Sequence, residues 1–181
     1  LEENIFSEIV PAEARLKPLL IRYAIQLTDK QKDHDGAIKI IDRVLPEMSG
    51  SEIRWNDLTY EGICYKAIAL SRSNRAQEAV QLISKPPDIG KVAINQRWLW
   101  FYTKAIVSAN AGNHSEASIE FEKAIKQLNQ YRESLPQALR LTFFRDKSDI
   151  FEALVRYGYE QGNLALVFET IQSLKGRTFK D

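Results

Sequence analysis

The stretch Gln96–Leu128, QRWLWFYTKAIVSANAGNHSEASIEFEKAIKQL, decides the fold of this chain. Its apolar and small residues recur at helical spacing, first at positions 98, 101, 105 and 108 and then at 117, 121, 124 and 128. Between the two runs, Gly112 suits the left-handed conformation that ends a helix, and Asn113 can cap the next one. Glu116 stands where it would complete a capping box. The stretch therefore predicts two helices joined by a tight turn.

The same hairpin pattern recurs along the chain, and no alternating strand pattern interrupts it. The other turns read Lys32-Asp33, Asn74-Arg75 and Gly162-Asn163. The sequence therefore predicts an all-α fold of about four helical hairpins with irregular, lengthened helices, one of them running unbroken from Ser134 to Gly158 or beyond. The hairpins are expected at approximately 17–46, 51–85, 91–132 and 135–180, after an N-terminal capping helix within residues 1–15.

Small residues at the crossing of the two helices carry a resemblance to a known family. Ala105, Gly112, Ala117, Phe121 and Ala124 resemble the pattern of the tetratricopeptide repeat (TPR) family. The resemblance implies a single domain over residues 1–181 in which the hairpins stack as a right-handed superhelix, an α-solenoid. The leading residues of the second helices are 42, 38 and 50 positions apart rather than the family's 34, so several helices are expected to be lengthened.

Residues 144–181 carry a second resemblance. Their clearest element, Lys175-Gly176-Arg177-Thr178-Phe179-Lys180-Asp181, resembles the end of the repeat unit that lies just upstream of the CHAT domain, a caspase-like peptidase domain of bacterial proteins. The resemblance implies that the chain is a fragment of a longer protein, with a His/Cys peptidase dyad beyond Asp181. This chain would then be the regulatory N-terminal arm of that peptidase and would carry no catalytic part of it.

Composition excludes several other classes of function. The chain has 25 Lys and Arg against 24 Asp and Glu, so its charge gives no reason to expect nucleic acid or an anionic membrane as a partner. No apolar run approaches the length of a membrane span. One cysteine and two histidines leave little for a disulfide framework or a zinc site. We expect no metal, no cofactor and a cytoplasmic location.

The residues that could carry chemistry have simpler interpretations. Cys64 would need a base beside it to act as a nucleophile, but His34 and His114 are predicted in turns at one end of the hairpins. The chain has no glycine-rich phosphate loop. Tryptophans that lack basic neighbours are typical of packing between helices, and we predict this role for Trp55, Trp98 and Trp100. We therefore expect this chain not to be an enzyme.

The TPR resemblance instead implies a partner-binding groove along the first helices of the hairpins. The middle of this groove is apolar, so a protein or peptide ligand is expected rather than one gripped by its terminal carboxylate. Its predicted residues are Arg22, Gln26, Cys64, Ile68, Leu99, Tyr102, Ile106, Asn110 and Arg156.

Two alternatives stay open at this stage. The groove can be filled in cis, by the N-terminal helix or by a neighbouring domain, because sizeable apolar patches are uncommon on monomers. The other alternative is an autoinhibitory or scaffolding arm of a multidomain signalling ATPase or transcription regulator, which predicts a groove filled in cis. Self-association through truncated ends of the array is also open.

Overall fold

The computed structural model describes residues 12–45, 56–140 and 148–175 of the chain. Every regular element in these ranges is helical, which confirms the all-α prediction. The chain divides into two compact units, one within residues 1–82 and one within residues 83–181. The single array predicted over residues 1–181 stays a prediction.

The first unit contains two helical hairpins. The helix α3 packs against both helices of the first hairpin and also against α4, its own partner in the second hairpin. The elements are α1 (Ala12–Gln26), a π-helical turn (Leu27–Gln31), α2 (His34–Val44), α3 (Asp57–Arg72) and α4 (Ala76–Leu82).

Local capping explains where α2 and α3 begin. The Asp33 carboxylate accepts a hydrogen bond from the backbone N–H of Gly36 at 2.9 Å, and the Asn56 side chain accepts one from the N–H of Thr59 at 2.9 Å. Each bond satisfies an N–H group that has no partner within its own helix. Gly62 then allows α3 to approach the first hairpin, because a Cβ at that position would collide with the Leu45 side chain.

The second unit, like the first, contains two helical hairpins. A short 3₁₀-helix (Ile89–Lys91) precedes a long hairpin, and a further hairpin follows after residues 137–140, which are also helical. The hairpins are formed by α5 (Arg97–Asn110) with α6 (His114–Glu133), and by α7 (Ser148–Glu160) with α8 (Leu164–Lys175). The second helices of these two hairpins, α6 and α8, also pack against each other.

All four predicted turns close with one residue in the left-handed conformation. These residues and their φ angles are Lys32 (59°), Asn74 (59°), Gly112 (82°) and Gly162 (66°). In each case it is the first residue of the pair that the sequence marks as a turn. The same backbone geometry is therefore reached with three different residue types.

Three of the turns share one hydrogen-bond pattern. The residue after the left-handed one donates its backbone N–H to the carbonyl five positions earlier; the bonds are Arg75 to Leu70 (3.0 Å), Asn113 to Ser108 (2.8 Å) and Asn163 to Gly158 (2.8 Å). In the first hairpin, the N–H of Asp33 reaches the carbonyl of Leu27, six positions earlier, at 3.0 Å. The π-helical turn there contains one residue more than the others.

This extra residue changes which side chain of α1 lies at the helix crossing. Constant spacing from the turn predicts Ile25 as the counterpart of Ala67 and Ala105. The structure instead buries Ala24 completely and leaves Ile25 half-buried. The first hairpin therefore has a small crossing residue, as the second and third do, and the assignment of Ile25 to that position is corrected to Ala24.

Other sequence expectations are also revised. The capping box at Asn113 is wrong, because the N–H of Asn113 is already bonded to Ser108 and its side chain makes no capping bond. The Glu116 carboxylate instead accepts from the Ser108 hydroxyl at 3.2 Å. The helix α1 begins at Ala12, inside the predicted capping segment. The rest of that segment, residues 1–11, and the middle of the long helix predicted from Ser134, residues 141–147, lie outside the described residues.

Candidate functional site

The predicted groove residues fall into two groups by exposure. Arg22, Gln26, Asn110 and Arg156 are exposed, and Ile106 is half-buried. The other four are buried, with Cys64 and Ile68 at 0% exposure, Leu99 at 3% and Tyr102 at 9%. The buried four offer a ligand little or no surface. The candidate site is therefore reduced to the exposed helix faces that the prediction includes.

The shifted register of α1 explains part of this split. The constant spacing that pairs Ile25 with Ala67 also pairs Arg22 with Cys64 and Gln26 with Ile68. Once Ala24 is the crossing residue, Ile21 and Ile25 are the counterparts of Cys64 and Ile68. Ile21 is fully buried, as Cys64 is. Arg22 and Gln26 thus lie one position away from the face to which the prediction assigned them.

The exposed face of α1 is an apolar stripe rather than a polar groove wall. Its four large side chains recur at steps of three, one and three, so they lie on one side of the helix. They are Leu16, Leu19, Leu20 and Tyr23, with 52%, 58%, 39% and 47% of their surface exposed. We call these residues the α1 stripe. Their spacing is visible in the sequence, whereas analogy with the other hairpins assigns Arg22 and Gln26 to the exposed face.

In the second unit, α7 keeps its predicted face exposed. Glu152, Arg156 and Tyr159 follow one another at steps of four and three, and Tyr159 has 75% of its surface exposed. Beside it along the chain, α8 exposes Leu164 and Phe168, one helical turn apart. This hairpin therefore presents both charged and aromatic side chains to solvent.

Tyr102 belongs to the core of the second unit. Its ring centroid lies 6.0 Å from that of Trp98 on the same helix and 6.1 Å from that of Phe121 on α6. Phe121 in turn lies 4.7 Å from the ring of Tyr157 on α7. Such tilted contacts are favourable for aromatic pairs. Trp98 and Trp100 are both buried, which agrees with their interpretation as packing residues, whereas Trp55 lies outside the described residues.

Tyr157 also joins the two hairpins of the second unit by polar contacts. Its hydroxyl donates to the carbonyl oxygen of His114 at 3.3 Å. Burial raises the pKa of Tyr157, and a hydrogen bond with the Ser118 side chain opposes that shift. The Asn163 side-chain amide donates to the same Ser118 hydroxyl at 3.2 Å. His114 is thereby engaged in a structural contact at the start of α6.

A buried carboxylate lies between α5 and α6. The Glu120 side chain is 4% exposed, and its Oε1 accepts from the Lys123 ammonium at 2.8 Å and from the Lys104 ammonium at 3.1 Å. Its Oε2 is buried and has no hydrogen-bond partner within the described part of the chain. Two cations on one carboxylate oxygen are the compensation that a buried charge requires. The cluster therefore links α5 to α6 through Lys104 and Glu120.

The turn of the first hairpin holds the chain's other histidine. Burial lowers the pKa of His34, and the nearby Arg72 and Lys32 lower it further, while Asp35 and Asp33 act in the opposite direction. Its Nδ1 is buried without a hydrogen-bond partner among the residues that the structure describes. The pKa of His34 therefore lies below its ordinary value in the folded chain.

The structure describes the surroundings of the chain's one cysteine and of its acidic side chains within these ranges. The Cys64 side chain is completely buried, so its thiol has no access to a substrate. Within residues 12–45, 56–140 and 148–175, no group of three or more His, Cys, Asp or Glu side chains is placed to hold a metal ion. In the same ranges, no helix combines the length and the apolar character needed to span a membrane.

The chain was also compared with known proteins. Comparison with models of protein families, with curated proteins and with solved structures finds no match. The resemblances to the TPR family and to the region upstream of the CHAT domain therefore stay predictions from the sequence.

Proposed function

We propose that this chain is a non-catalytic, TPR-like module that binds a protein or peptide and serves as the regulatory N-terminal arm of a CHAT-type peptidase. The observation that carries the proposal is the recurrence of one turn geometry in four hairpins, each closed by a left-handed residue at the position expected from the sequence. Hairpin repeats of this kind stack to create extended surfaces, which such proteins use to bind partners.

The exposed face of α7, within the second unit, is where the partner binds. The helix α7 is the first helix of its hairpin, and first helices line the groove in the TPR family. Its exposed face combines an aromatic side chain, Tyr159, with Arg156. Aromatic residues and arginine are enriched at protein interfaces. The buried Ile68 and Leu99 have no part in this surface.

One experiment tests the regulatory role. The native reading frame is sequenced for roughly 300 codons beyond Asp181, a length set by ordinary domain sizes. A domain with a histidine near one strand end and a cysteine near the next supports the role, and deletion of residues 12–175 should then change the peptidase activity of the whole protein. A nucleotide-binding loop would favour an arm of a signalling ATPase, and an early stop codon would leave an interaction module alone.

A second experiment tests partner binding on α7. Arg156→Glu combined with Tyr159→Glu should reduce capture of the native partner at least tenfold, since it replaces a cation and an aromatic ring by two anions. Both residues are exposed, so the helical circular dichroism signal should not change. The matched control is Gln130→Glu, an exposed position on α6. Equal capture by all three proteins would remove α7 from the proposed surface.

A further inference from the structure

The second helices of two hairpins use the same position to contact the hairpin that follows. A Cβ on Gly62 of α3 would lie 3.7 Å from the Ile41 side chain of α2, and the Tyr157 ring of α7 lies 4.7 Å from the Phe121 ring of α6. Ile41 and Phe121 each stand eight positions after the second residue of their turn. One position of the repeat therefore faces the next hairpin in both units.

The same position in α8 is Ile171, and no hairpin follows α8 within the described ranges. Two other contact positions of α6 also have counterparts there, since His114 corresponds to Leu164 and Ser118 to Phe168. His114 and Ser118 accept hydrogen bonds from the next hairpin, whereas Leu164 and Phe168 have 69% and 64% of their surface exposed. The three apolar residues of α8 lie at steps of four and three on one side of the helix. We call Leu164, Phe168 and Ile171 the α8 face.

The α1 stripe occupies the opposite half of the same kind of contact. In the register that places Ala24 at the helix crossing, Leu19 and Tyr23 correspond to Gly62 and Lys66 of α3. Gly62 packs on the first hairpin, and Lys66 forms an ion pair with an aspartate of α2. The helix α1 therefore exposes the positions with which α3 contacts the hairpin before it.

The chemistry of these two faces indicates what covers them. Terminal repeats of stacked arrays ordinarily present polar outer faces, whereas the α1 stripe and the α8 face consist of apolar and aromatic side chains. Each face thus suits the other, and every copy of the chain carries both. The equivalence with Gly62 and Ile41 brings Leu19 of one copy to Ile171 of another.

We infer that the chain self-associates head to tail, with the α1 stripe of one copy packed on the α8 face of a second copy. Because the two faces differ, each contact leaves one face free at either end, and the assembly grows with concentration instead of closing as a dimer. This contact uses α1 and α8, so it is separate from the partner-binding face of α7.

Sedimentation velocity of the full chain, under reducing conditions and over a roughly hundredfold range of concentration, tests the contact. The average mass should rise beyond that of a dimer. Leu19→Glu and Phe168→Glu should each weaken association by about tenfold or more, because each places a charge in an apolar contact. Both residues are exposed, so helicity should not change. The matched control is Ile119→Glu, which lies on α6 with 50% of its surface exposed and should associate as the wild type does.

A mixture of the two variants distinguishes head-to-tail pairing from a contact between two like faces. The Leu19→Glu chain keeps its α8 face and the Phe168→Glu chain keeps its α1 stripe, so together they should form a dimer that grows no further. If Phe168→Glu loses helicity, Leu164→Glu carries the same test.

Three results would overturn the inference. One is a mixture that fails to associate. Another is a single variant that still dimerises as tightly as the wild type, since that result assigns the contact to two like faces. The third is a wild-type chain that stays monomeric at every concentration, because its faces are then open or covered within their own chain.

Discussion

The backbone N–H of Asn113 donates a hydrogen bond to the carbonyl oxygen of Ser108 at 2.8 Å, across the turn that ends α5. That bond requires the intervening Gly112 to adopt a φ of 82°, which disfavours any residue with a Cβ. A Cβ on Gly112 would meet no other atom within 4 Å, so the penalty for a substitution is one of backbone conformation alone.

Gly112→Ala should therefore lower the free energy of unfolding by about 1–2 kcal/mol, the usual penalty for a left-handed residue with a Cβ. Urea unfolding followed by circular dichroism measures the change. Ser115→Ala, at an exposed position in the first turn of α6, is the control and should stay within about 0.5 kcal/mol of the wild type. A Gly112→Ala protein as stable as this control would show that the turn tolerates a different conformation.

Lys32→Gly should change the free energy of unfolding in the opposite direction. Lys32 has a φ of 59° and bears the strain that Gly112 avoids, so glycine there should raise the free energy of unfolding by about 0.5–1 kcal/mol. The exposed bond from the Lys32 ammonium to the carbonyl of Asp29 is lost, which offsets only part of the gain. Lys30→Gly, within the π-helical turn, should instead destabilise the protein. Thermal unfolding of the two variants compares them directly, and the same sign for both would refute the assignment.

Glu120→Gln should destabilise the α5–α6 hairpin by about 1–3 kcal/mol, because it leaves the Lys104 and Lys123 ammonium groups without their shared carboxylate. Glu122→Gln, on the exposed side of the same helix, should change the stability by less than about 0.5 kcal/mol. Urea midpoints of the two variants give the comparison. Similar midpoints would mean that the buried charge contributes no net stability.

His34 should make the protein less stable as the pH falls. Its pKa in the folded chain is lowered from 6.5, chiefly by burial and then by Arg72 and Lys32, so the unfolded chain binds a proton that the folded chain resists. The stability should therefore fall as the pH drops below about 6.5, and the fall should end once the pH is below the folded-state pKa of His34. Unfolding midpoints between pH 7.5 and 5 measure this slope.

His34→Gln removes the titrating group and should flatten that part of the profile. His114→Gln, the substitution of the chain's second histidine, leaves His34 intact and should keep the slope. If the His34→Gln protein retains the whole pH dependence of the wild type, another group is responsible for it.

The sequence predicted the turns better than the faces of the helices. Gly112 and Gly162 indicate their turns by residue type. Asn74 and Lys32 are predicted in turns only because the hairpin pattern repeats around them. The burial of Cys64 and Leu99 was not predictable from spacing, since a first-helix face is apolar both when it binds a ligand and when it packs within the protein.

The capping box failed for a different physical reason. A Schellman-type bond from the N–H of Asn113 competes with the bond that the Glu116 side chain would make to the same group. Local sequence rules treat the end of one helix and the start of the next separately. In a turn of two residues, one N–H group serves both ends, and here it bonds to the backbone carbonyl of Ser108.

The π-helical turn at Leu27–Gln31 shows how one additional residue changes the surface that a repeat presents. Each residue advances an α-helix by about 100°, so one additional residue before the turn rotates α1 by that angle relative to the first helices of the other hairpins. Ala24 is buried in place of Ile25, and Arg22 is exposed. A single insertion in a turn is thus equivalent to exchanging an entire helix face, without substituting any residue on that face.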